Sequence, residues 1–137
     1  ASTTNNPLLS ELAPTNTLWI HTERAQALGI ADGDWMCIEN MLGKAVYKAV
    51  CQESIRPDCG HATHGWWFPE QDGEAPNYFG VLKHNINELI PNGQIGPQGC
   101  GTNYKSTICK VYRVDGPEYL AEIGYRGMVP PQQAAAE

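Results

Sequence analysis

From Thr17 onward the chain contains short runs in which apolar and polar side chains alternate with a period of two. "TLWIH", residues 17–21, alternates and is rich in strand-forming side chains, which predicts a short strand. Residues 22–29, "TERAQALG", change the pattern: Thr22 is a candidate N-cap, Glu23 sits near the positive end of the helix dipole, and Gly29 suits the left-handed position after a helix. A short helix is expected here, with Ala25, Ala27 and Leu28 allowing it to lie close against a sheet. Asp32-Gly33 reads as a turn and residues 34–40 as a second strand. In "KAVYKAVCQ", 44–52, Ala45, Tyr47, Ala49 and Cys51 alternate with Val46, Lys48, Val50 and Gln52, so this run completes a hairpin that Pro57 closes off.

Elsewhere the pattern weakens. Up to Pro14 the chain is polar and loop-like, with "PLLSEL" as its only apolar cluster. Residues 60–107 are dominated by Gly, Pro, Asn and aromatic side chains; a connection this long is usually functional or disordered, and this one carries too many aromatics for disorder. Within it, "FGVLKHNINELI" predicts one short helix. "STICKVYRV", 106–114, returns to alternation as a last strand. Beyond it lies an extension, 115–137, whose final residues are expected to be disordered. Short strands, few helical residues and long connections favour a compact β-barrel over a layered sandwich.

Composition narrows this picture. A chain of 137 residues holds one domain with its own core. Its apolar share of 42%, its charged share of 18% and the lack of any apolar run near the ~18 residues that span a bilayer describe a soluble, globular domain with no membrane span. The start, "ASTTNNPLLSEL", has neither the basic residues nor the apolar stretch of a secretory signal, which leaves the compartment open. The net charge of −6 is uneven: half of it falls in residues 115–137, where Asp115, Glu118, Glu122 and Glu137 face Arg126 alone. With no basic stripe for a phosphate backbone, nucleic acid is excluded as the expected partner. Five cysteines, Cys37, Cys51, Cys59, Cys100 and Cys109, form no C-x-x-C pair and are odd in number, against a disulfide framework or a zinc ribbon. Most are expected to be buried thiols, with Cys37, Cys51 and Cys109 in strands.

Candidate chemistry concentrates in "HATHGWWFPE", 61–70. Cys59, His61 and His64 are possible zinc ligands, but the spacing supplies no second ligand pair. His64 has the chemistry of a general base, without an adjacent carboxylate or nucleophile in the sequence. Trp66, Trp67 and Phe68 point different ways along a non-helical segment, so one is expected to pack inward while another faces a cleft. A flat heteroaromatic ligand is a further reading: glycine permits close backbone approach, imidazole hydrogen-bonds, and indole supplies an apolar wall. Asn85 and Asn87 are either turn-formers or amides that offer donor and acceptor together. Asp32 and Asp34 are assigned to turn chemistry rather than to paired-carboxylate catalysis. "GPQGCG" has glycines but no following amphipathic helix, so it is not a phosphate cradle.

An ordered set of features ties these residues to a known family. Ala25 to Ile30, Asp32-Gly33-Asp34, Gly43 and Arg56-Pro57 reproduce a strand, small helix, Asp-Gly-Asp turn, hairpin and Arg-Pro corner, and "HGWWFPE", "NINEL" and "NYKSTICKVYRV" extend the match over about residues 2–114. This resembles the C-terminal dinucleotide-binding domain of the dimethyl sulfoxide reductase family of molybdopterin oxidoreductases. The Trp doublet and "CKV" are most similar to the subgroup of polysulfide and thiosulfate reductases, acetylene hydratase and hydroxyl-transferring enzymes.

The resemblance implies a mainly β fold with short helices, a double-psi β-barrel like that of aspartate decarboxylase, in a barrel domain over 1–114 whose first strand is missing or shortened here. It implies a fragment, not catalytic alone, that binds and orients one molybdopterin guanine dinucleotide of a bis-cofactor, with molybdenum or tungsten held by another domain. Expected partners are the remaining domains of the parent, with an iron–sulfur electron-transfer subunit as a further candidate. By the same resemblance His64, Gly65 and Trp66 contact a pterin and Asn87 supplies the family's asparagine, with Asn85 as its competitor. Tyr104 and Lys105 lie where the closing loop meets the cofactor; otherwise they are a surface pair. Ser2, Thr3 and Asn5, with Thr4, form a hydroxyl-rich dinucleotide contact or else a frayed end. The competing reading is an independent small β-barrel that binds a ligand or partner. A stand-alone barrel decarboxylase is disfavoured, because no Gly-Ser self-processing pair occurs.

Overall fold

The computed structural model describes residues 5–67, 72–75, 78–91, 105 and 107–114. Five strands, β1 (Thr17–His21), β2 (Trp35–Glu39), β3 (Lys44–Gln52), β4 (Gly60–Ala62) and β5 (Lys110–Arg113), form one mixed sheet in the order β4-β1-β3-β2-β5. β1 runs parallel to β3, with Leu18 opposite Ala49; the other pairings are antiparallel. A parallel pair cannot be joined by a tight hairpin. Here the crossover consists of α2 (Thr22–Ala27) and β2 itself. Among the described residues β4 and β5 are the sheet's edges.

Alternation along the strands sends side chains to two faces. Leu18, Ile20, Met36, Ile38, Tyr47 and Ala49 line the first, which is covered by Ala25 of α2, by Ile30 and by Leu89. The second carries Cys37 and Val46, and buried Trp66 closes over them with Val114. Each buried aromatic removes ~150–250 Å² from water, so Trp66 is a major part of this smaller core.

The alternating runs appear where the sequence predicts them, and several expectations need correction. "PLLSEL" is a helix, α1 (Pro7–Leu12), rather than loop: the Asn6 side chain accepts the Leu8 N–H at 3.1 Å and Pro7 occupies the first turn, where its missing N–H costs nothing. α2 is capped by His21, whose Nδ1 accepts the Glu23 N–H at 3.2 Å, and Thr22 is its first residue. "GHA" forms β4 inside the stretch read as irregular. "FGVLKHNINELI" is broken into a 3-10 turn (Tyr78–Gly80), α3 (Val81–His84) and a second 3-10 turn (Ile86–Leu89). Cys37 is buried and Cys51 half-buried as strand residues, but Cys59 and Cys109 are exposed, and Cys109 precedes β5, which begins at Lys110. Residues 115–137, expected as a separate extension, lie outside the described residues.

Candidate functional site

The segment that carries His64 leaves β4 under tight restraint. Thr63 N–H donates to Thr17 O at 3.0 Å, the Thr63 hydroxyl lies 3.2 Å from that oxygen, and the two threonine hydroxyls are 3.3 Å apart. His64 follows with its side chain exposed, and Gly65 then takes φ 64°, a left-handed conformation that favours glycine. That turn carries the chain to the second face of the sheet, where Trp66 is buried. Trp67 stays half-buried, with its ring edge-on to Phe79 at 5.4 Å. Trp66 therefore anchors inward and Trp67 is the more open indole.

Asn85 and Asn87 separate into two roles. Asn85 is buried, and its Oδ1 accepts the Asn87 N–H at 3.0 Å, capping the second 3-10 turn. Asn87 presents its side chain on the exposed side of that turn. The hairpin tip between β2 and β3 fixes the same turn, because Asn40 Nδ2 donates to Leu89 O at 2.7 Å. A Cβ at Gly43 would come 3.2 Å from Glu88 O, so glycine lets this tip approach.

Two buried side chains join these segments. Tyr47, fully buried, donates its hydroxyl to Thr63 O at 3.1 Å. Burial raises its pKa far above the ordinary 10.0, while hydrogen bonds from the Ile86 backbone and the Asn16 side chain act the other way. Buried Asn16 donates from Nδ2 to Val46 O at 2.8 Å and to His84 O at 3.3 Å. The structure thus brings the 63–66 and 84–87 segments together around one phenol and one amide. Sequence reasoning singled out neither Tyr47 nor Asn16; the only signal was a polar group next to or within a strand pattern.

The other sequence candidates are dispersed. Asn5 is exposed in a turn before α1, and Lys105 is exposed. Ser2, Thr3, Thr4 and Tyr104 lie outside the described residues. His61 stacks against Trp19 with ring centroids 5.2 Å apart, and the exposed Cys59 thiol lies 3.6 Å from Asp58 Oδ1. Among the described residues, no three His, Cys, Asp or Glu side chains gather to hold a metal ion. Asp34 Oδ2 accepts the Ala31 N–H at 2.9 Å within the turn and lies 3.4 Å from Arg113 Nε, while Asp32 Oδ1 accepts the Cys51 N–H at 2.8 Å and ties the turn to the end of β3. Among the described residues no helix is long and apolar enough to cross a membrane.

The polar side chains exposed on these segments are the imidazole of His64, next to Gly65, and the carboxamide of Asn87; Lys105 is exposed on a separate segment. These groups fit the donor-and-acceptor edge of a pterin and the charge of a diphosphate. Residues 1–108 match the family model described as "Molydopterin dinucleotide binding domain". The chain belongs to this family. As a molybdopterin dinucleotide-binding domain, it is 48% identical over 52 residues to the thiosulfate reductase molybdopterin-containing subunit PhsA of Salmonella typhimurium, covering 38% of this chain and 7% of that protein. It is 28% identical over 107 residues to dopamine dehydroxylase of Eggerthella lenta, covering 78% of this chain and 10% of the relative. Among solved structures, acetylene hydratase from Pelobacter acetylenicus superposes with a TM-score of 0.74 at 23% identity, over 80% of this chain and 16% of that one; this likeness shows a shared, mainly β fold. The domain spans about a tenth or less of the length of those two curated relatives.

Proposed function

We infer that this domain grips its molybdopterin dinucleotide along the surface formed by His64, Gly65 and Asn87. Trp66 fixes the first segment from below, and Lys105 and Tyr104 extend the contact from the loop before β5. Ser2, Thr3 and Asn5 complete it at the start of the chain. The ligand is the guanine dinucleotide form, one of a pair, with molybdenum or tungsten held by other domains of a larger oxidoreductase. That cofactor, when bound, supplies the redox or Lewis-acid chemistry of the metal; this chain's own groups bind, orient and exclude water. The observation that carries the reading is the pairing of an exposed imidazole with a left-handed glycine directly after the Thr17–Thr63 clasp. A backbone held this firmly presents polar groups with little ordering cost on binding.

The double-psi barrel belongs to the same proposal. Its support is the parallel β1–β3 pair with β2 inserted beside β3, a crossover that a simple antiparallel meander does not contain. Residues 1–114 then form the barrel and 115–137 an extension, with the rest of the parent polypeptide as the domain's immediate partner and an iron–sulfur subunit as electron partner.

The test is His64→Ala and Asn87→Ala in the full-length protein, with pterin content per polypeptide read from the fluorescence of the oxidised pterin. Each variant is expected to retain several-fold less pterin, as loss of a hydrogen bond worth about 1 kcal/mol or more implies. Unchanged pterin content in both contradicts the assignment.

A further inference from the structure

We propose that Tyr47 is a positioning residue for cofactor binding, whose buried hydroxyl holds the His64 and Asn87 segments in register with each other. The inference rests on the binding surface proposed above and goes beyond it, because Tyr47 is fully buried and belongs to the sheet core.

The geometry is specific. Tyr47 projects from the middle of β3, opposite Met36 of β2. Its hydroxyl donates to the carbonyl of Thr63, the residue immediately before His64. Ile86, immediately before Asn87, packs against the core that contains Tyr47, and its backbone acts to lower the pKa of the same phenol. Tyr47 therefore bonds one segment and lies in the core against which the other packs, each contact one residue from the side chain assigned to the ligand. Asn16 doubles the link, since its amide reaches His84 O on one side and Val46 O on the other. A phenol is suited to this task because it both donates and accepts. Its rigid ring, immobilised by packing, sets the distance between the segments with few rotamers to lose. Phenylalanine at this position would preserve the ring and leave the Thr63 carbonyl without the phenol donor, so the two segments would lose their common reference while the core stayed filled.

Such a role is separable from plain stability. The experiment uses the full-length, cofactor-loaded protein and measures the half-time of pterin release, read as fluorescence of oxidised pterin in the filtrate. Tyr47→Phe is compared with Asp32→Ala, which loses the bond to the Cys51 N–H but touches neither segment. Unfolding midpoints of the pterin-free forms are recorded for both. Tyr47→Phe is expected to release pterin about five- to tenfold faster, with Asp32→Ala close to the parent protein. The decisive readout is coupling. On the His64→Ala, Asn87→Ala background the added effect of Tyr47→Phe is expected to shrink toward unity, because its route to the ligand is gone.

A Tyr47→Phe effect equal to that of Asp32→Ala, or one that persists at full size on that background, overturns the proposal. If His64→Ala and Asn87→Ala themselves leave release unchanged, the binding surface falls and the proposal with it. If they accelerate release and Tyr47→Phe does not, only the positioning role falls. Should Tyr47→Phe fail to accumulate, Asn16→Ser carries the same comparison, since it removes the amide link to His84 O.

Discussion

At the scale of single residues, the polar groups that matter most are buried ones. Tyr47 has to remain protonated to donate to Thr63 O, and burial holds its pKa far above 10.0. The unfolded chain ionises this phenol first, so its contribution to stability is fully present below pH 10.0 and is lost as the pH rises beyond it. Unfolding midpoints in denaturant followed from pH 8 to 11 should therefore fall less steeply above pH 10 in Tyr47→Phe than in the parent, and parallel curves would contradict this. Asn85 and Asn87 show how burial sorts two similar side chains. The amide that caps a turn is spent on the backbone, and the one two residues on faces outward. Spacing in "NIN" contains no record of that difference, because it depends on which side of the 3-10 turn meets the sheet.

At the scale of elements, local chemistry was legible wherever side chains alternate or a turn demands a particular residue. β1, β2 and β3 appear within a residue of their sequence-predicted bounds, and Gly29 adopts φ 68° after α2 as its position suggested. β4 was not legible: three residues carry no periodicity, and its strand character comes from pairing with β1. α1 was not legible as a helix although Asn6-Pro7 is an N-terminal signal, because six residues with one apolar cluster in a polar stretch show no helical period. The cap of α2 went to a histidine, which rarely ranks among capping residues. His21→Ala should cost about 0.5–2 kcal/mol and His21→Asn about none of it, as read from unfolding midpoints. Equal loss in the two variants would show that the ring's packing, not its Nδ1, holds the helix start.

At the scale of the molecule, the family pattern was readable because it is an ordered series of turns, and the match over residues 1–108 bears it out. The strand order β4-β1-β3-β2-β5 was not readable, since every pairing except the β2–β3 hairpin joins residues distant in sequence. The sheet carries Trp66 over one face and Leu89 over the other, and the segments that hold these two residues also hold the polar groups proposed to meet the cofactor. Under the proposal above, fold and cofactor surface are connected through the hydrogen bonds of Asn16 to Val46 O and His84 O and of Tyr47 to Thr63 O.

The most direct measurement is hydrogen exchange by mass spectrometry on the full-length protein, pterin-loaded against pterin-free. Slower exchange on loading is expected in peptides covering 63–67 and 85–89, with little change at the turn around Asp32 that precedes β2. Protection that spares both segments and appears elsewhere in the domain would contradict the proposed cofactor surface.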